Sequence, residues 1–333
     1  MINKNEIIQD LFHSKKRKLI DSTLLKIIQE NTDNDELKNN ILYHLGLDNN
    51  TTIPTLGHTK RLRPYLCLLF AEEMGYDLKI VLPGAVSVEL IHNATLIVDD
   101  IQDDDQIRCN KLALWKKTNI AEAMNVAFYL STLSISYFHK KRIDLKLADY
   151  SDLFILHLNK LSSGQQIDIS IDNKYYTNTI DNNQKVTVYE KMVDGKTGSL
   201  IFLSCILGAS PHEINHDYME LLIDFCYNLA RLHQLQDDLD DLPSIKDINN
   251  LKKVSIEKSN IMNFFKIDNK RLNKDEYIKS ISFLNEYYEL LLSNLQTSIA
   301  KLFDHKIIKT NKLLNLVEVL TTRNNSFFMG NEK

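Results

Sequence analysis

Apolar residues recur at intervals of three and four along most of the chain, the spacing that gathers them on one face of an α-helix. Segments with this pattern run over 6–30, 34–46, 82–103, 121–141, 147–171, 188–207, 213–242, 274–303 and 306–322. Another begins at Pro64 and continues as YLCLLFAEEMGY; proline suits the first turn of a helix, where its missing N–H is not needed. In the first segment Leu24, Leu25, Ile27 and Ile28 form one stripe. Polar stretches separate the helices: 49–54, a loop at 104–117, the Asn-, Asp- and Thr-rich 172–185, and 247–253. Strand-like alternation is confined to 186–189, too short to matter, and no solenoid period is present. The pattern predicts one all-α domain over residues 1–333.

Composition sharpens this picture. Of 333 residues 44% are hydrophobic, enough for a large core, while only 9 are Gly and 5 Pro, so turns are scarce and long helices expected. The formal charge of −4, without a basic tail, gives no electrostatic case for nucleic acid as a partner. Four cysteines lack C-x-x-C spacing; Cys67, Cys205 and Cys226 sit in apolar helical runs, consistent with a reducing cytoplasm. The N-terminal MINKNEIIQDLFHSKKRK has no apolar core of the signal-peptide kind, and no uninterrupted apolar run reaches the roughly 18 residues of a transmembrane segment.

Two acidic clusters change the picture most. ELIHNATLIVDDIQDDDQIR (89–108) starts apolar and then places five aspartates in seven positions. In a helix Asp99, Asp100 and Asp103 fall on one side, where like charges repel unless a cation is bound. Such a run by itself is equally a solvated acidic helix end. QLQDDLDD (234–241) repeats the arrangement, with Asp237 and Asp241 four apart, as are Gln234 and Asp238, again after an apolar helical run. Two D-D-x-x-D faces, each closing a hydrophobic helix, fit the oxygen chemistry of Mg²⁺, which takes one or two carboxylates, water and substrate phosphate. Facing each other, they would hold several Mg²⁺ ions and clamp a diphosphate.

These clusters stand among landmarks that occur in a familiar order: GHTKRLRP (57–64), ELIH (89–92), DDIQD (99–103), Arg108, GQQID (164–168), GKTG (195–198) and QLQDDLDD (234–241). In these features, from Gly57 to Lys258, the chain resembles the trans-isoprenyl diphosphate synthases of the polyprenyl synthetase family. The resemblance implies the class I isoprenoid synthase fold, a helical bundle around a central cavity, and a cytoplasmic homodimer. It implies condensation of isopentenyl diphosphate with an allylic prenyl diphosphate, using Mg²⁺, three ions in all. Asp99, Asp100, Asp103, Asp237, Asp238 and Asp241 would be the metal ligands, with Asp105 in support. Arg108, Lys196 and Lys258 would hold the allylic diphosphate, with Thr197 and Gln234 lining its site; Lys60, Arg63 and His92 would take isopentenyl diphosphate.

A lysine between glycines inside an apolar helix is unusual, since a glycine there costs about 1 kcal/mol relative to alanine. That points to close packing or a ligand near GKTG. Residues one turn before the first Asp set product length in the family. Here they are Ala94 and Thr95, both small, which implies a product beyond farnesyl length, of geranylgeranyl length.

The chain also departs from the family pattern. Arg108-Cys109-Asn110 replaces paired arginines and a glycine, Trp115 a histidine, Ala230 and His233 a glycine and a phenylalanine, and Glu257-Lys258-Ser259 a Gly-Lys-x-Thr segment. Cys109 cannot make the two-pronged contact of an arginine, so the acceptor diphosphate lacks one charge. Two alternatives stay open: a terpene synthase that ionises a prenyl diphosphate without elongating it, and a non-catalytic partner subunit.

Overall fold

The structure is a computed structural model that describes residues 14–48, 61–171, 182–240, 254–255, 261, 271–272 and 274–321. Lys60, Asp241 and Lys258 lie outside the described residues, as do 49–54 and 247–253. The elements are α1 (Lys15–Asn31), α2 (Asp35–Leu45), α3 (Leu62–Met74), α4 (Leu78–Gln102), β1 (Ile107–Arg108), β2 (Lys111–Leu112), α5 (Leu114–Lys117), α6 (Ile120–Leu145) and α7 (Ser151–Ile171). Next come α8 (Asn182–Val193), a five-residue π-helical turn (Asp194–Gly198), α9 (Ser199–Ala209), α10 (His216–Asp240), β3 (Val254–Ser255), β4 (Arg271–Leu272), α11 (Lys274–Asp304) and α12 (Lys312–Thr321). The fold is all-α, the strands forming two short antiparallel pairs.

Local chemistry sets the helix ends. The Asn34 side chain accepts from Leu37 N–H, Asp77 from Lys79 N–H, and Asn119 from Glu122 N–H, each meeting a donor that the first turn leaves unpaired. Gly46, at φ 67°, closes α2 in the left-handed conformation that glycine adopts without strain. Three expectations are corrected in detail. The loop at 104–117 contains the β1–β2 hairpin and α5; the segment 186–189 is helical, within α8; and the helix at 188–207 is interrupted by the π turn.

The chain divides into two compact units, one of Met1–Phe154, Leu203–Met219 and Lys306–Asn315, the other of Ile155–Phe202, Glu220–His305 and Leu316–Lys333. In the first, α4 packs along α6. Ser87 Oγ donates to the Ser134 carbonyl at 3.1 Å and Ser134 Oγ to the Ser87 carbonyl at 2.7 Å, so two fully buried hydroxyls satisfy each other's backbones. Leu66, Leu68, Phe70, Val86, Leu90 and Ile97 are fully buried there, each worth roughly 1.5–3 kcal/mol. In the second unit Tyr189, Phe225, Leu229, Tyr277 and Leu284 form the core, and the His157 ring stacks on Phe202 at 4.8 Å.

Leu78–Gln102 and Gln184–Ala209 are long and apolar enough to cross a membrane by length and composition, although neither is an uninterrupted apolar run. Both are largely buried inside the fold, as core helices are.

Candidate functional site

In the first unit the acidic cluster ends α4. Asp103 caps the helix, its N–H bonding to the Asp99 carbonyl at 2.9 Å. The spacing predicts all three aspartates on one side, but the structure gives them different surroundings. Asp99 is half-buried and Asp103 exposed, whereas Asp100 is 1% exposed and turned onto Arg108. Arg108 Nε and Nη2 lie 2.6 and 2.5 Å from Asp100 Oδ1, and Nη2 is 4.0 Å from Asp99 Oδ2. The hairpin makes this possible. Cys109 and Asn110 occupy its two-residue turn at φ 51° and 62°, the left-handed pair that lets β2 fold back on β1. Burial pushes the Asp100 carboxyl up despite the pull of Arg108, and its Oδ2 is buried with no hydrogen-bond partner among the described residues.

Arg63 and His92 also meet in this unit, with Nη1 2.9 Å from Nε2. Burial, then the Arg63 charge, holds the His92 pKa well below the usual value, so the neutral ring accepts from the guanidinium. Arg61, not singled out in the sequence, anchors this basic stretch. It is 2% exposed and donates to Asp21 at 3.0 Å, Glu89 at 2.8 Å and the Leu45 carbonyl at 2.6 Å. Beside the hairpin lies a small cleft lined by Tyr43, His44, Asn93, Arg108, Cys109 and Lys111, among others. Lys111 Nζ bonds to the Tyr43 carbonyl, Lys117 lies over the Tyr43 ring at 4.2 Å, and Lys116 over the Trp115 ring at 5.4 Å. Of the length-setting pair, Ala94 is buried, while Thr95 is half-buried and donates to the His92 carbonyl at 2.8 Å.

In the second unit Lys196 and Thr197 sit in the π turn, a wider turn that recurs at functional sites. Lys196 Nζ is 2.6 Å from Asp168 Oδ2 of α7. Asp168 was visible in the sequence as the last residue of GQQID, but only folding revealed its partner. The glycines of GKTG mark close packing between helices. A Cβ on Gly195 would lie 2.5 Å from the Lys160 carbonyl oxygen and 2.9 Å from Gly164 Cα; one on Gly164 would lie 2.6 Å from Lys196 N. Gly195→Ala is therefore expected to lower stability by about 1–3 kcal/mol, the usual cost of overpacking, read as a lower urea midpoint.

The second acidic cluster ends α10. Asp237 points outward, its side chain 57% exposed and 3.1 Å from His233. Asp238 is 4% exposed and accepts from Gln234 Nε2 at 2.9 Å, Tyr189 OH at 3.0 Å and Ile261 N–H at 2.9 Å. Burial, against these three bonds, raises its pKa to about 7.

Both clusters suit a hard cation. The first closes its helix at Asp103, where the last carbonyls carry partial negative charge, and Asp100 Oδ2 is a buried acceptor with no donor among the described residues. Among the described residues no three His, Cys, Asp or Glu side chains form a closed cage. Mg²⁺ needs none: it keeps several waters and binds one or two carboxylates together with substrate phosphate.

Comparison with known proteins gives concordant matches. The family model for polyprenyl synthetase matches residues 49–258. A short chain isoprenyl diphosphate synthase of Methanocaldococcus jannaschii is 28% identical over 239 residues, 71% of this chain and 68% of that protein. A geranylgeranyl diphosphate synthase of Methanosarcina mazei is 30% identical over 192 residues, 57% of this chain and 56% of that one. The chain thus spans about two thirds of the first relative's length and a little over half of the second's. The crystal structure of a geranylgeranyl pyrophosphate synthetase from Pyrococcus horikoshii superposes with a TM-score of 0.68 at 21% identity, covering 96% of this chain and 99% of that one. That superposition speaks to the fold alone.

Proposed function

The chain belongs to the polyprenyl synthetase family of prenyltransferases, and from that membership we propose that it condenses isopentenyl diphosphate with an allylic prenyl diphosphate. The trans product is of geranylgeranyl length, as the small Ala94 and Thr95 suggest. The observation that carries this reading is the division of labour in both acidic clusters. In each, one aspartate is buried on a partner (Asp100 on Arg108, Asp238 on Tyr189 and Gln234) and another, Asp103 or Asp237, faces solvent.

Mg²⁺, when bound, would offset the diphosphate charge and stabilise the departing pyrophosphate. Asp99, Asp100, Asp103, Asp237, Asp238 and Asp241 would hold it, with Asp100 and Asp238 also bracing Arg108 and Gln234. Arg108, Lys196 and Lys258 would hold the allylic diphosphate, Thr197 and Gln234 its edges, and Lys60, Arg63 and His92 the acceptor diphosphate. Buried apolar helices would keep water from the allylic cation. We take residues 1–333 as one cytoplasmic catalytic domain that works as a homodimer. Ile120, Met124, Phe128 and Ile135, 40–71% exposed along α6, supply an apolar face for the second copy.

A terpene synthase is favoured by one observation, Cys109 in the acceptor region while Lys111 is engaged with Tyr43. Incubation with Mg²⁺ and each allylic diphosphate, with and without isopentenyl diphosphate, separates the readings. Longer diphosphates formed only with the acceptor support the synthase; hydrocarbons or alcohols formed without it overturn it.

Product length has its own test. Ala94→Phe is expected to shorten the product, but at a buried position it also overpacks the core by about 1–3 kcal/mol. Thr95→Phe, starting from a half-buried side chain, probes the same floor with less strain. Unchanged products from both active variants would put the floor elsewhere.

A further inference from the structure

One charged cluster in the second unit has no role so far, and it grips the segment that carries Lys196. Arg231 of α10 donates through Nε and Nη2 to the two Asp194 oxygens at 2.7 and 2.6 Å, and its Nη1 lies 3.3 Å from Glu190 Oε1. Tyr287 OH donates to that same Glu190 oxygen at 2.8 Å. Asp194 is the first residue of the π turn, two before Lys196 and three before Thr197.

The α10 residues involved share one face. Tyr227, Arg231, Gln234 and Asp238 follow at steps of four, three and four, as neighbours on a helix do. Three of them contact α8 and the π turn at successive levels. Asp238 takes Tyr189 at 3.0 Å, Arg231 takes Asp194 and Glu190, and Tyr227 lies so near Gly198 that a Cβ there would be 2.8 Å from its ring. Arg231 is the middle fastener, level with the start of the turn.

Such a turn needs fixing. A π turn holds one residue more than an α turn, and relaxing to α geometry would rotate the following residues by about 100°, one residue's share of a 3.6-residue turn. Lys196 and Thr197 would then face another way. A two-pronged guanidinium–carboxylate contact specifies orientation as well as proximity, so it can hold one register. With carboxylates on two sides, the guanidinium charge is already met, which suits a brace better than a substrate ligand.

We propose that the Asp194–Arg231 fork is a positioning device that sets the register of the π turn, so that Lys196 and Thr197 face the allylic diphosphate. The inference rests on the prenyltransferase reading for the substrate's identity. Its test compares wild type with Arg231→Leu, Arg231→Lys, Asp194→Asn, Asp194→Arg, Arg231→Asp and the exchange that combines the last two. Both Michaelis constants, kcat, helical circular dichroism, and the Kd of inorganic pyrophosphate with Mg²⁺ by calorimetry are measured.

Arg231→Leu is expected to lower kcat/KM for the allylic diphosphate, and to weaken pyrophosphate binding, by about ten- to a hundredfold, as misplacing a binding group does. The isopentenyl diphosphate KM should stay within about twofold, because Arg63 and His92 pair with each other, while Arg231 is engaged by Asp194 and Glu190. Arg231→Lys keeps the charge without the fork and should restore activity only in part; the exchange should exceed either of its single changes. A folded Arg231→Leu with allylic kcat/KM within about twofold of wild type overturns the proposal. So does a loss shared equally by both substrates. If Arg231→Leu does not fold, the nearly isosteric Asp194→Asn decides by the same comparison. A wild type that binds pyrophosphate but makes no prenyl product refutes the functional reading alone, and the pyrophosphate Kd of the variants then decides this one. A wild type that does neither refutes both.

Discussion

Asp99→Ala and Asp237→Ala are each expected to lower turnover by at least about a hundredfold, the scale for losing a group that stabilises transition-state charge, while helical circular dichroism stays unchanged. The structure makes these the informative pair. Asp99 is half-buried and 4.0 Å from Arg108 Nη2, and Asp237 is 57% exposed with His233 as its neighbour, so truncating either leaves the core intact. Asp100 and Asp238 are different. Asp100→Ala would strip Arg108 of its closest carboxylate, and Asp238→Ala would leave two buried donors, Tyr189 OH and Ile261 N–H, and the half-buried Gln234 amide short of an acceptor. Their losses would mix stability with activity. Near wild-type turnover at saturating Mg²⁺ in Asp99→Ala or Asp237→Ala would sink the proposed metal role.

Cys109→Arg is expected to lower the KM for isopentenyl diphosphate by about ten- to a hundredfold. A charge-assisted hydrogen bond contributes roughly 1.5–3 kcal/mol, and each 1.4 kcal/mol is tenfold in affinity. The backbone should tolerate the change, since Cys109 already occupies φ 51° and arginine pays no more there than cysteine. The allylic KM should barely move, because Arg108 and Lys196 keep their partners. Lysines near the hairpin are poor substitutes for the missing charge. Lys111 is tied to the Tyr43 carbonyl, and Lys116 rests over Trp115. A wild type that already binds isopentenyl diphosphate at low micromolar levels, unimproved by the arginine, would show that one of them does supply it. A terpene synthase would respond little, or begin to elongate.

The helices and the two acidic clusters were legible in the chain itself. Apolar spacing at three and four is a local property, and so is a D-D-x-x-D run at a helix end; both survive whatever the helix packs against. The landmark order extended this to family, and with it to fold. Tertiary contacts decided what each aspartate faces. Asp99 and Asp100 are adjacent in sequence, yet Asp100 is buried because the hairpin brings Arg108 onto it, and that hairpin depends on left-handed Cys109 and Asn110 in a stretch expected to be a loop. The glycines of GKTG announced a close approach without saying to what, until Gly164 of α7 proved to lie against Gly195. Partners far apart in sequence, Lys196 with Asp168 and Asp194 with Arg231, were invisible for the same reason. Periodicity reports which face of a helix is apolar, but not which residues of another helix that face will meet.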